Sequence, residues 1–379
     1  MDTIYIMSIK KSDYFLIVGD TVPSADVTSA FNKSGLGDLN ELFENSKEVF
    51  INLEAPITKS QNVSLKAGPS LKVDIKDANI IAALNTSVAC LANNHICDYG
   101  VEGLVDTTAF LENINIAPIG VVVNGIGFNH KLIEVSGKSI AVFNFCEEEF
   151  CSIDENNQAL LIEPCDNFNQ ITAVDADFKI VILHAGTEHF HIPNPWHRKV
   201  SKYFIDIGAD LVVSHHTHKV SGYEIYKNKP IYYGLGNFLF SNKSAPESWN
   251  LGLLLKVFIE NGQLKIEKQS FKQLEKETLI RKLDSSEEDR FSKYINDINV
   301  ILDSKELYEN CWIKYIECNK INYEAAMYGM SRIERGIYRR FDFKLLTLEK
   351  KQKNLRLLNF INCSSHRLML SSCIKNKLS

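Results

Sequence analysis

The chain has 379 residues, of which 45% are hydrophobic and 23% charged, and a formal net charge of −5. This is the composition of a globular protein longer than one average domain, which predicts one large core with an appendage. The negative balance excludes the overall basic field of a dedicated nucleic-acid binder.

The nine cysteines are an odd number, and no C-x-x-C pair occurs among them. They fit reduced thiols in a cytoplasm rather than a disulfide scaffold; Cys146 and Cys151 are the nearest pair that could cross-link. The N-terminal residues lack the pattern of a secretory signal, and no stretch reaches the roughly eighteen apolar residues of a membrane helix. A soluble cytoplasmic protein without a transmembrane segment is expected.

In chain order, residues 14–18 read as a strand that ends in Gly19-Asp20. A helix is predicted near 38–45, with Leu39, Leu42 and Phe43 on one face. The next strand, 49–51, runs into Asn52-Leu53-Glu54. A helix over about 75–84 precedes a strand at 88–92, which ends in Asn93-Asn94-His95. A helix follows at about 101–112, then a strand at 140–143 that ends near Asn144. The acidic run Glu147-Glu148-Glu149 reads as solvated loop, and Asp98 as a lead into the helix behind it.

The strand 180–183 ends in His184. The helix that begins near Pro195 stops at Gly208, a residue suited to a helix end. The apolar run 211–213 leads to the pair His216 and His218. Residues two apart on an extended chain face one side, so the two imidazoles could serve one ion or one each of an adjacent pair. Residues 253–259 and 264–271, joined by Asn261-Gly262, read as a hairpin that completes a second sheet.

Short apolar runs alternating with amphipathic helices predict an α/β domain with mainly parallel, doubly buried strands. Its expected extent is residues 1–275. Residues 276–379 read as a helical C-terminal region, with helices near 289–303, 305–318, 322–335 and 343–375. The last forty-one residues hold ten Lys or Arg against two Asp or Glu, either a solvated face or a docking surface for an acidic partner or anionic membrane.

Strand after strand ends in a metal-competent side chain: Asp20, Glu54, Asn94, His184, His216. In open α/β sheets, sites gather beyond the carboxyl ends of the strands. Together with His218 these form an oxygen and nitrogen ligand set with no cysteine, suited to manganese, iron or zinc, and a bridging carboxylate could hold two ions. Two such ions can activate a water for displacement at phosphorus. His95, next to Asn94, is placed to act as a general acid. His189, His191 and His197 read as core or surface.

The strings NLEAPIT (52–58), LANNHICDYG (91–100), HAGTEHF (184–190), DIGADLVVSHHTH (206–218) and KPIYYGLGNFLF (229–240) carry a family resemblance. The chain resembles the calcineurin-like metallophosphoesterases, and within them the CapA/PgsA capsule-synthesis branch of poly-γ-glutamate type. The resemblance covers about 14–245. It implies a four-layer α/β/β/α sandwich with two divalent metals. Asp20 and His218 would serve one metal and Asn94, His184 and His216 the other, with Glu54 bridging and His95 as the nearby acid. Glu188 and Asn237 would bind substrate. Two departures stand out. Val22 occupies a place where the superfamily usually carries a histidine, and the N-terminal membrane anchor of many capsule-branch proteins is not expected here.

The leading expectation is therefore a metal-dependent hydrolase-like protein of capsule or exopolymer biosynthesis, acting on a phosphoester or related bond in a polymer or its phosphorylated precursor. The alternative is a non-catalytic subunit of a polymer synthesis or export complex, docked to other capsule proteins through the basic C-terminal helices. A nuclease fits least, given the charge.

Overall fold

The computed structural model of the protein describes residues 13–275 and 278–327, together with Met369. The chain divides into two compact units, Met1–Tyr308 and Glu309–Ser379.

Two large sheets build the first unit. The first has eight strands: Thr278–Lys282, Gln263–Glu275, Leu251–Glu260, Tyr14–Val22, Glu48–Leu53, Val88–Cys90 and Ala117–Ile119 in spatial order, with Asn237–Phe240 also paired to Tyr14–Val22. The second has six, in the order Tyr223–Tyr226, Lys229–Tyr232, Leu211–His215, Phe178–His184, Lys138–Cys146 and His130–Val135. The central pairings are parallel in both sheets. A small four-stranded sheet, which includes Val121–Val123 and Asn157–Ala159, stands apart from the two.

Strand periodicity sorts the core into layers, because alternate residues face opposite sides. Phe15, Ile17, Phe50 and Val88 of the first sheet share one buried cluster with Ile140, Ile180, Ile182, Leu211 and Val213 of the second. The intervening residues Leu16, Val18, Val49, Ile51 and Ala89 pack on the other side with Val27, Phe43, Leu104 and Leu111 from helices. On the far face of the second sheet, Phe145 stacks on Phe204 of the helix Pro195–Asp206, ring centroids 5.6 Å apart. The architecture is thus the expected sandwich, helices, sheet, sheet, helices, with parallel strands covered on both faces.

Several boundaries differ from the sequence reading. The hairpin at 251–275 joins the first sheet, where it lies antiparallel to Tyr14–Val22, and not the second. The break expected at 275 falls inside paired structure: Thr278–Lys282 continues the sheet beside Gln263–Glu275. The helix Ser285–Asp303, closed at its start by a capping box from Asp284 and Glu287, then buries Phe291 and Ile295 in the inter-sheet cluster. The division therefore falls between Tyr308 and Glu309. The expected segments at 305–318 and the start of 322–335 form one helix, Lys305–Met327. The rest of 322–335, the helix at 343–375 and most of the basic tail lie outside the described residues. Among the described residues no helix is long and apolar enough to cross a membrane.

One close approach places the first acidic residue. A Cβ on Gly19 would lie 2.1 Å from the carbonyl oxygen of Gly236, and the next backbone N–H, of Asp20, donates to that same oxygen at 3.1 Å. Backbone cannot move aside as a side-chain tip can. Gly19→Ala should therefore cost about 1–3 kcal/mol by overpacking, read as a lower urea midpoint at unchanged m-value. A midpoint equal to wild type would rule out so tight a seam between these strands.

Candidate metal centre

The carboxyl ends of the parallel strands in both sheets meet at one edge of the sandwich. Asp20 lies where the register of Tyr14–Val22 shifts against both neighbours, so a side chain near the strand end is re-aimed. Glu54 follows directly on Glu48–Leu53, and His184 is the last residue of Phe178–His184. Asn94 lies in the turn after Val88–Cys90.

These side chains converge. Ligand atoms of Asp20, Glu54 and His218 lie within 4.8 Å of one another, and so do those of Glu54, His184 and His216. Glu54 is common to both groups. His184 Nε2 is the focus of the second: it lies 3.0 Å from Asn94 Oδ1, 3.1 Å from His216 Nδ1 and 3.5 Å from Glu54 Oε1. All six sequence-predicted ligands are thus brought together.

The route to His216 and His218 differs from the one expected. The strand stops at His215, and both histidines lie beyond it with left-handed backbone, φ 86° and 53°. Strand alternation does not aim them. A strained loop does, and such strain persists only where surrounding contacts over-determine it. One such contact is Asn237. Its Oδ1 lies 3.0 Å from His218 Nδ1, and its Nδ2 donates to the Trp249 carbonyl at 3.0 Å. Asn237 is fully buried and holds the His218 ring.

The polar accounting shows what this centre lacks. Both oxygens of Glu54 and Oδ2 of Asp20 are buried with no hydrogen-bond partner. His218 Nδ1 comes within 3.3 Å of Asp20 Oδ2, but it is engaged by Asn237. Burial, then the charge of Asp20, pushes the Glu54 carboxyl well above its ordinary range. Burial also opposes ionisation of Asp20, but His218 and His215 outweigh it and hold that carboxyl low. Burial drives His216 down to about 3 and holds His184 well below the usual imidazole range, so both are neutral with lone pairs to offer. At His218 burial is outweighed by Glu54 and Asp20, and its pKa rises to about 9. Buried anions are normally paired or bound to metal. The orphaned Glu54 oxygens beside the neutral imidazoles of His184 and His216 and the amide oxygen of Asn94 fit a divalent cation there; beside Asp20 and Glu54 a second cation would take the place of the charge on His218.

A cavity of about 810 Å³ opens onto the centre and is lined by Asn94, His95, His218 and Glu188, among others. Glu188 is exposed there, as a substrate-facing residue would be. His95 is fixed by Asp98, whose Oδ2 lies 2.7 Å from His95 Nδ1. The same carboxylate accepts from Lys66 Nζ at 2.6 Å and from the Leu71 N–H at 2.7 Å. Asp98 is therefore no helix lead-in: the N-cap of Gly100–Asn113 is Tyr99, and Asp98 orients His95.

The sequence reading missed other members. Asn52 Nδ2 donates to Asp20 Oδ1 at 2.8 Å and lies 3.2 Å from His184 Nδ1. His215 Nδ1 sits 3.5 Å from Asp20 Oδ1. The period-two pattern held the signal for both, since Asn52 follows Phe50 and His215 follows Val213 on the inter-sheet face. Glu149 is not merely solvated: it accepts from Asn94 Nδ2 at 3.3 Å and lies 3.8 Å from His216 Nε2. Of the unassigned histidines, His197 is core and bonded to Ser214, whereas His189 lines the cavity. Cys146 and Cys151 are free thiols with sulfurs 3.6 Å apart.

Known proteins share this chain's pattern. It is 27% identical over 246 residues to the capsule biosynthesis protein CapA of Bacillus anthracis, covering 59% of each chain. It is 27% identical over 235 residues to the PGA biosynthesis protein CapA of Bacillus subtilis, covering 59% of this chain and 62% of that one. The chain thus spans about three-fifths of the length of these relatives. A solved phosphatase from Mycoplasma pneumoniae aligns over 69% of this chain and 94% of its own at 14% identity, with a TM-score of 0.43. The family described as bacterial capsule synthesis protein PGA_cap matches residues 15–242. That span holds every converging side chain from Asp20 to Asn237, and the chain belongs to this family.

Proposed function

We propose that this protein is a metal-dependent hydrolase of capsule or exopolymer biosynthesis. It would hold two divalent ions of the manganese, iron or zinc kind and act on a phosphoester or related bond in a polymer or its phosphorylated precursor. The observation that carries the reading is Glu54, a fully buried carboxylate with neither oxygen hydrogen-bonded, shared between two groups of ligand atoms. The biosynthetic setting rests on the family and on the names of the Bacillus relatives.

Asp20, Glu54 and His218 would hold one ion; Glu54, Asn94, His184 and His216 would hold the other. When bound, such a pair supplies an activated water and a clamp on a phosphoryl group. The remaining work belongs to the chain. His95, with Nδ1 held by Asp98, has Nε2 left to give a proton to a leaving group. Asn52 braces Asp20, and Asn237 braces His218, as partners behind metal ligands do. Glu188, Glu149 and Trp249 line the space that a substrate would enter.

A second reading, a non-catalytic subunit of polymer synthesis or export, is favoured by Val22. This buried apolar side chain packs in the core at a position where the resemblance expects a ligand. Turnover separates the two readings.

Metal analysis of the purified protein should find manganese, iron or zinc, and Glu54→Gln should lose most of it. In urea the same variant should be less stable than wild type when metal is supplied. After chelation that disadvantage should shrink, and wild type should become the less stable protein as pH rises, because burial and Asp20 oppose ionisation of its Glu54 carboxyl. A difference between the two chelated proteins that does not change with pH would contradict a carboxyl held back from ionising.

His95→Ala should lower turnover of an aryl phosphate ester by about 100-fold or more, with metal content unchanged. Asp98→Asn should do the same to a lesser degree. If wild type binds metal yet turns over nothing, the binding-platform reading takes its place.

A further inference from the structure

The cavity at the metal centre has two lysines in its wall, and they are in different electrostatic states. Lys66 is paired with Asp98 at 2.6 Å, so its charge is matched within the protein. Lys219, directly after His218, has no carboxylate within 4.0 Å among the described residues; its Nζ donates to Ser248 Oγ at 2.7 Å. An ammonium group has three N–H donors, and one hydroxyl takes only one of them. Ser248 also lines the cavity, beside Trp249, whose ring lies 4.7 Å from that of His218. The Ser248 hydroxyl holds the ammonium at the cavity next to the centre, where a bound group meets a charge that no carboxylate among the described residues balances.

We propose that Lys219, with Ser248, is a specificity-determining subsite for a second anionic group of the substrate, placed beside the bond that reacts at the metal centre. The proposal rests on the hydrolytic reading for the identity of that bond, but not for the subsite itself. A lysine acts as a compact point charge. One such cation, in a cavity that Glu149 and Glu188 also line, matches a singly charged group such as a carboxylate better than a second phosphate. The substrate class is then a phosphorylated or phosphate-like centre with a carboxylate a few bonds away. Plain aryl or alkyl phosphates would use the metals and leave the subsite empty.

The test is calorimetric binding to the full chain loaded with manganese. The probes are methylphosphonate, which has only the phosphate-like group, and phosphonoacetate and phosphonopropionate, which add a carboxylate at two spacings. Wild type should bind at least one carboxylated probe about tenfold more tightly than methylphosphonate, the scale of one charge-assisted hydrogen bond. Lys219→Met should erase that margin and leave methylphosphonate affinity within about twofold. Lys219→Arg should keep most of the margin. A wild type without the margin, or a margin that survives Lys219→Met, overturns the subsite. Turnover of phosphate esters with no margin would remove the subsite and leave the hydrolytic reading. A margin that depends on Lys219 in a protein without turnover would keep the subsite and remove hydrolysis.

Discussion

Two carboxylates, Asp20 and Glu54, are buried side by side at the junction of two sheets, and their outward oxygens have no protein hydrogen-bond donor. This is the constraint on which the rest depends. Isolated buried anions are costly, and two together are worse, since each raises the energy of the other's charge. At Asp20 the relief is partial, from the Asn52 amide and the raised pKa of His218, whereas Glu54 has no hydrogen-bond donor. His184 and His216 are held neutral, and Asn94 turns its oxygen inward toward His184. Around Glu54, His184, His216 and Asn94 thus bring lone pairs, an arrangement suited to a cation.

The sandwich makes that convergence possible. Parallel strands put their carboxyl ends on one edge, and stacking two such sheets brings two sets of strand ends face to face. Asp20, Glu54 and Asn94 come from the first sheet, and His184, His216 and His218 from the second. The apolar layer between the sheets, from Phe15 and Phe50 to Ile182 and Val213, sets the spacing on which the polar edge relies. Local departures then fine-tune the aim. They are the register shift at Asp20, the contact of Gly19 with the Gly236 carbonyl, and the left-handed backbone at His216 and His218. Each is unfavourable by itself and is tolerated because the packed sheets leave no alternative.

Around the ligands lies a layer that gives the site its individual character. Asp98 ties His95, Lys66 and the Leu71 N–H into one network, so His95 and the wall of the cavity share one anchor. Asn237 does the same on the other side, since it links His218 to the backbone carbonyl of Trp249. The unmatched charge of Lys219 lies at that second side. The centre is therefore flanked by one cation whose charge is balanced within the fold and one that, among the described residues, faces the cavity without a counter-ion.

The sequence by itself determined the α/β class and the six side chains that converge at the strand ends. Strand-length apolar runs, the polar residues that close them and the family strings are all local in the chain, and local signals survive without coordinates. It also led to a wrong geometry at one point: H-x-H spacing suggests an extended segment, but His216 and His218 act from a strained loop. What only the tertiary structure decided were the relations between distant segments. The hairpin at 251–275 joined the first sheet because Tyr14–Val22 offered an open antiparallel edge. Asp98 became the partner of His95, Asn237 the brace of His218, and Asn52 and His215 members of the centre. A hydrogen bond between side chains far apart in the chain depends on where two sheets happen to abut, and no spacing along one strand encodes that distance.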